Sequence, residues 1–245
     1  MTLAVVLTAA GGGTRLGHRL PKALVPLAGV PIVARAAQGL VAACPEPLAV
    51  LVVTAPAEHL AAVRDAVVDA LGDAGLDVPL AVVPGGATRQ ASVAAALAAL
   101  TPYPGVDVVL VHDAARPGTP AHVVRRVVGA VRSGHLAVVP AVPVADTIKR
   151  VDPGAGDVVP VLATLPRSTL RAVQTPQGFD RGLLERAHAA AAGAADDESV
   201  AASDDAGLVE RLGEPVWLVA GDERSAKVTT ARDLRVAELL LEEDA

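Results

Sequence analysis

The chain has 245 residues, 52% of them hydrophobic, and a formal net charge of −6. That is enough apolar material for a sizeable core, which excludes a disordered chain, and the negative balance argues against a general nucleic-acid surface. Cys44 is the one cysteine, which excludes a disulfide framework or a cysteine-ligated metal, and only Tyr103, Phe179 and Trp217 are aromatic, so a bound base would be read by backbone and hydroxyl groups and not by stacking.

Met1 to Thr8 is apolar, lacks a basic start and runs directly into glycines, which reads as a buried strand and not as a signal peptide. No run approaches the roughly 18 apolar residues of a membrane span, so a cytoplasmic location without membrane attachment is expected. Further buried strands are predicted at Leu48 to Thr54, Val78 to Val83, Val106 to His112, Leu136 to Val142 and Val216 to Ala220, because continuous Val and Leu suits strands covered on both faces. Helical patterns lie between and after them: Ile32 to Ala43 entered through Pro31, Glu58 to Ala70, Ser92 to Leu100, Ala121 to Arg132, Arg181 to Ala191, Asp205 to Leu212 and Ala231 to Leu241. Thr230, with Asp233 three residues on, forms a variant capping box before the last of these. The alternation predicts an α/β fold, one domain with a mostly parallel central sheet flanked by helices. Thr147 to Val151 and Val158 to Thr164 break the pattern. Joined by the Pro- and Gly-containing segment 152–157, they predict a protruding antiparallel arm at about 144–172, packed either on a second subunit or back on its own domain.

The first strand is followed by Ala9-Ala10-Gly11-Gly12-Gly13-Thr14-Arg15-Leu16-Gly17 and then Pro21-Lys22. The dinucleotide-binding pattern would need glycine where Leu16 stands, and the lysine and hydroxyl of a P-loop are missing after Gly17. Glycines at a strand's carboxyl end still let the backbone aim N–H groups at phosphate oxygens, and Arg15 with Lys22 completes a triphosphate cradle. Of 21 basic residues only Lys22, Lys149 and Lys227 are lysines, consistent with lysine being kept for compact, mobile point charges. His112-Asp113-Ala114-Ala115-Arg116-Pro117 follows a strand and lies at the carboxyl edge where open α/β sheets bind ligands. Ser92 taken alone reads as a helix cap.

The run Ala-Ala-Gly-x-Gly-x-Arg followed by Pro-Lys resembles the nucleotidyltransferase signature of enzymes that activate sugars and polyols. With Gly85-Gly86-Ala87-Thr88-Arg89-Gln90-Ala91-Ser92-Val93, Val111 to Pro117, Asp146-Thr147-Ile148-Lys149, Gln174-Thr175-Pro176-Gln177 and Lys227-Val228-Thr229, it resembles the 2-C-methyl-D-erythritol 4-phosphate cytidylyltransferases, in collinear order from Leu3 to about Leu240. The resemblance implies a Rossmann-like nucleotidyltransferase fold and transfer of CMP from CTP to 2-C-methyl-D-erythritol 4-phosphate, with release of pyrophosphate in the non-mevalonate isoprenoid pathway. It also implies that Ala10, Gly11, Gly12 and Gly13 wrap the CTP phosphates while Arg15, Lys22 and Lys227 neutralise charge at the α-phosphorus. Gly85, Gly86 and Ser92 would read cytosine, and Asp113 would contact the ribose or the methylerythritol and is the candidate carboxylate for the metal. Arg116 would contact the acceptor or brace Asp113 through a salt bridge, and His112 would be structural. Thr147 and Arg167 would hold the acceptor phosphate, the arm crossing to the neighbouring subunit of a homodimer. Mg²⁺ would be bound mainly by the phosphates, and the attacking phosphate oxyanion needs no general base. Lys149 reads as solvated, Asp196-Asp197-Glu198 as an acidic loop and not a metal site, and Ser203-Asp204-Asp205 as a helix start. Thr14, Gly207 and Ser225 depart from the family pattern, Ser225 just before Lys227. A cytidylyltransferase for another polyol phosphate, such as ribitol 5-phosphate, would keep the same CTP machinery; a noncatalytic nucleotide-binding module would be expected to lose Arg15, Lys22 or Lys227.

Overall fold

A computed structural model describes residues 2–11, 16, 20–152, 157–197 and 200–242. Its centre is an eight-stranded sheet. β1 (Thr2–Thr8) pairs in parallel with β4 (Leu48–Ala55) on one side and β6 (Val106–Asp113) on the other, and β5 (Leu80–Pro84) extends β4 in parallel. Beyond β6 the direction changes. β11 (Gln177–Asp180) runs antiparallel between β6 and β7 (Ala137–Pro143), β10 (Arg171–Val173) is antiparallel to β7, and β12 (Trp217–Ala220) is parallel to it.

Successive side chains on a strand point to opposite faces, and here both faces are dry. Leu3, Val5 and Leu7 of β1 join one apolar cluster with α1 (Ile32–Ala43), α2 (Leu60–Asp73) and α4 (Ala121–Arg132). Ala4 and Val6 join another with α3 (Arg89–Ala98), α5 (Arg181–Ala190) and α6 (Asp205–Arg211). α1 and α4 match their predicted bounds because Pro31 and Pro120 each stand immediately before the helix. α3 starts three residues earlier than predicted because Thr88, and not Ser92, is its cap, accepting from the Ala91 N–H. α7 (Ala231–Glu242) begins with the predicted box: the Thr230 N–H donates to Asp233 Oδ2 at 2.8 Å and the Asp233 N–H to Thr230 Oγ1 at 3.2 Å.

Two small hairpins lie outside the sheet. β2 (Pro26–Leu27) and β3 (Val30–Pro31) turn through Ala28 and Gly29, both at positive φ, as a two-residue hairpin loop requires. Arg35 braces that turn, donating to the carbonyls of Leu27 and Ala28. β8 (Ile148–Val151) and β9 (Val161–Leu165) form the predicted arm, with its second strand starting later than expected. Lys149 is not merely solvated: its ammonium donates across the arm to Thr164 Oγ1 at 2.6 Å. Among the described residues no helix is long and apolar enough to cross a membrane.

Candidate active site

The carboxyl ends of β1 and β6 open into a cleft of about 590 Å³. It is lined by Thr8 to Gly11 at the exit of β1, by Gly86 to Arg89 with Ser92, by Asp113 to Ala115, and by Lys22 and Lys227. Ala201 to Ser203, which no site motif included, also line it. Lys22 sits in a short 3-10 turn, Lys22–Leu24, entered through Pro21. None of the three aromatics is among the residues that line the cleft.

Close backbone approach explains the glycine pair. A Cβ on Gly85 would lie 2.2 Å from the Ala10 Cβ, and one on Gly86 2.4 Å from the Ala91 Cβ, so the turn nests against both the β1 exit and the start of α3. Ser92 holds that turn from inside the helix. Its hydroxyl donates to the Thr88 carbonyl at 2.9 Å and accepts from the Gly86 N–H at 3.1 Å. Ser92 is therefore a brace for the loop and not a cap.

Asp113 is the electrostatic centre. Lys227 Nζ lies 2.7 Å from Oδ2 and Arg89 Nε 3.0 Å from Oδ1. Burial alone would raise its pKa, but the two cations and their hydrogen bonds outweigh that and hold the carboxyl well below the usual carboxylate range. Arg89 reaches further: its Nη1 lies 2.7 Å from Oδ2 of Asp205, a fully buried residue whose Oδ1 lies 2.9 Å from His188 Nε2. Burial disfavours the charged guanidinium, yet the two carboxylates raise its pKa above the ordinary arginine value. Asp204 caps α6, accepting from the Gly207 N–H and from Gln177 Nε2. Of the predicted helix start Ser203-Asp204-Asp205, Asp204 is the cap of α6 and Asp205 joins the ion network.

Arg89 and Asp205 were missed as site residues. A signal was available in Arg89, a cation in the first turn of α3, where the helix dipole disfavours positive charge; two carboxylates offset that cost. The salt bridge expected from Arg116 to Asp113 is replaced by the one from Arg89. Arg116 instead donates to the Ser225 carbonyl at 2.6 Å and toward the Val173 carbonyl, bracing the segment that carries Lys227. His112 is structural, as read: fully buried, it contacts the Arg116 carbonyl at 3.1 Å and Thr175 Oγ1 at 3.0 Å, and burial lowers its pKa to about 4.

Of the site residues read from sequence, the cleft gathers Ala10, Gly11, Lys22, Gly86, Ser92, Asp113 and Lys227, with Gly85 packed directly behind. Arg116, Thr147 and Arg167 are not part of its lining. Thr147 and Arg167 are exposed at the base of the arm, where Arg167 Nη1 donates to the Ala145 carbonyl. Gly12, Gly13 and Arg15 lie outside the described residues, as does Glu198. Among the described residues, no three His, Cys, Asp or Glu side chains come together as a metal cage.

A sequence profile of the 2-C-methyl-D-erythritol 4-phosphate cytidylyltransferases matches residues 3–243. A relative of that name from Streptomyces avermitilis is 46% identical over 243 residues, covering 97% of this chain and 91% of its own. One of the same name from Nocardia farcinica is 47% identical over 244 residues, covering 100% of this chain and 96% of its own. Among solved structures, the 2-C-methyl-D-erythritol 4-phosphate cytidylyltransferase of Thermus thermophilus superposes with a TM-score of 0.73 at 34% identity, over 99% of this chain and 100% of that one.

Proposed function

Because this chain belongs to the 2-C-methyl-D-erythritol 4-phosphate cytidylyltransferase family, we infer that it is the nucleotidyltransferase that joins CMP, taken from CTP, to 2-C-methyl-D-erythritol 4-phosphate. A phosphate oxygen of the acceptor forms a bond to the α-phosphorus, the bond from that phosphorus to the bridging oxygen breaks, and pyrophosphate leaves. The products are 4-diphosphocytidyl-2-C-methyl-D-erythritol and pyrophosphate, a step of isoprenoid synthesis without mevalonate.

The observation that carries the reading is the cleft itself: two lysines face a glycine-bearing strand exit, beside a second glycine turn held by a serine. Nucleotidyl transfer gains most from alignment and fixed positive charge. In this reading Ala10, Gly11, Gly12 and Gly13 cradle the phosphates, and Arg15, Lys22 and Lys227 stabilise charge at the α-phosphorus. Gly85, Gly86 and Ser92 read cytosine through backbone groups and a hydroxyl. Asp113 meets the sugar or the acceptor; with Arg89 at 3.0 Å it stays compensated when Lys227 turns toward phosphate. Arg116, besides bracing the Lys227 segment, contacts the acceptor.

Mg²⁺ fits this site as a passenger of the triphosphate. Both Asp113 oxygens already accept from cations, so the protein offers at most one carboxylate, and phosphate oxygens with water would supply the remaining positions. Bound there, the ion would withdraw charge from the phosphates.

We read the chain as one nucleotidyltransferase domain whose arm, at about 144–172, joins two copies into a homodimer in the cytoplasm. Support comes from apolar residues left in solvent on and beside the arm: Val158 is 93% exposed, Val161 and Leu162 57% each. Thr147 and Arg167, outside the cleft of their own chain, would then hold the acceptor phosphate at the partner's site. The direct test is phosphorus NMR of a mixture of protein, CTP, Mg²⁺ and 2-C-methyl-D-erythritol 4-phosphate. Paired diphosphate resonances of the cytidyl product appearing with pyrophosphate are expected; an unchanged CTP spectrum would reject the assignment.

A further inference from the structure

Lys227 lies in a stretch without a helix or strand of its own, between the 3-10 turn Glu223–Ser225 and α7. A lysine on loose chain would contribute little to a reaction that depends on alignment. Here the chain is fastened on both sides. Upstream, Arg116 grips the Ser225 carbonyl at 2.6 Å. Immediately after the lysine, the Val228 N–H donates to the Ala115 carbonyl at 2.8 Å, and the Val228 side chain is buried with Leu16, Val25, Leu27 and Ile32. That small core is closed by Leu234, Ala237 and Leu241 of α7, so one helix packs against the supports of Lys22 and of Lys227 together.

Downstream the fastening is a single carboxylate. Asp233 Oδ2 accepts from the Thr230 N–H at 2.8 Å, which any capping box would supply, and also from the Thr229 N–H at 2.8 Å and the Thr229 hydroxyl at 2.6 Å. The two bonds to Thr229 do nothing for the helix's own first turn. They fix the residue two places after Lys227.

We propose that Asp233 is a positioning residue for nucleotidyl transfer, holding Thr229 and Thr230 so that the Lys227 ammonium is aimed into the cleft. The proposal rests on the reading of Lys227 as a catalytic cation. The bonds from Thr229 bring the Asp233 carboxyl down to about 2, so the carboxylate is ionised throughout the range in which the enzyme would be assayed.

Cap loss and loss of aim are separable by mutation. Thr230→Ala removes the cap bond to the Asp233 N–H and leaves both bonds to Thr229, whereas Asp233→Ala removes them all; Asp233→Asn keeps an oxygen acceptor in place, and Thr229→Val deletes the hydroxyl bond alone. With kcat, KM for CTP and Tm measured for each, Asp233→Ala is expected to lose about tenfold in kcat with KM for CTP nearly unchanged, the signature of an interaction made in the transition state. Asp233→Asn should recover most of that loss, Thr229→Val should lose about threefold, and Thr230→Ala should turn over within about twofold of the parent despite a lower Tm. Should Asp233→Ala not fold, the Thr229→Val and Thr230→Ala pair decides the question. Full turnover in Asp233→Ala or Thr229→Val, or an equal loss in Thr230→Ala, would reduce Asp233 to a helix cap and overturn the proposal. Lys227→Ala is run alongside: if it turns over like the parent, the catalytic reading of Lys227 fails first and the proposal with it.

Discussion

Arg89 and Asp113 meet at 3.0 Å in a part-buried pair, and the same guanidinium holds the fully buried Asp205 at 2.7 Å from its other edge. One arginine therefore compensates two carboxylates on different elements, α6 and the end of β6. Removing a single partner from a buried ion network strands the remaining charges. Arg89→Ala is expected to cost about 3–5 kcal/mol, roughly a 10 °C fall in Tm for a chain of this size, and to reduce turnover by releasing Asp113. Arg89→Lys should recover little, because an ammonium cannot fork between two carboxylates. Thermal unfolding followed by circular dichroism checks both variants; a lysine variant as stable as the parent would argue against the fork.

Much of this architecture is legible in the sequence, for a physical reason. β1, β4 and β6 are covered on both faces and read as Val- and Leu-rich runs, and prolines mark the starts of α1 and α4. β11 was not legible. Gln177-Gly178-Phe179-Asp180 has no β-branched residue, and its strand is fixed by tertiary contacts: Gln177 bonds Asp204, and a Cβ at Gly178 would lie 2.5 Å from Val127 Cγ1. The candidate site divides in the same way. Glycines and lysines announce a phosphate cradle by type and spacing, but the partners of Asp113 depend on a side chain reaching across from α3, which no local pattern encodes. The sequence motif contained Arg89 and still did not disclose its task.

Lys22 and Lys227 line the same cleft. If their charge matters most as the α-phosphorus becomes five-coordinate, Lys22→Ala and Lys227→Ala should each depress kcat by about a hundredfold or more while weakening CTP binding severalfold at most. Steady-state kinetics beside calorimetric CTP titration separates the two. Equal losses in both quantities would mean that the lysines hold the ground state only.

The Gly85 turn offers a steric prediction. A methyl group at Gly85 would press on the Ala10 Cβ at 2.2 Å and the Ser92 hydroxyl at 2.9 Å, and the Ala10 Cβ, attached directly to the backbone, cannot swing away. Gly85→Ala should separate the phosphate side of the cleft from the proposed base side, raising KM for CTP about tenfold, near 1.4 kcal/mol of binding, with a smaller effect on kcat. An unchanged KM would remove the turn from the nucleotide site.

His112 gives a pH dependence of known sign. Burial lowers its pKa from 6.5 to about 4, so between those values the unfolded chain binds a proton that the folded one does not, and stability rises with pH. The stabilising difference is fully present above about 6.5 and is lost as pH falls toward about 4. His112→Asn, which has no proton to gain, is expected to start from a lower Tm and to lose less over that window. Parallel slopes for variant and parent would assign the acid sensitivity to other groups.

Pyrophosphate release shows directly whether this cleft transfers CMP from CTP to methylerythritol phosphate. Purified protein with Mg²⁺ is given CTP, UTP or GTP, each with 2-C-methyl-D-erythritol 4-phosphate, with ribitol 5-phosphate or with no acceptor, and kcat/KM is compared. Release is expected with CTP and methylerythritol phosphate, and little with any other combination. A preference for ribitol phosphate, equal use of UTP, or no release with any combination would contradict the assignment.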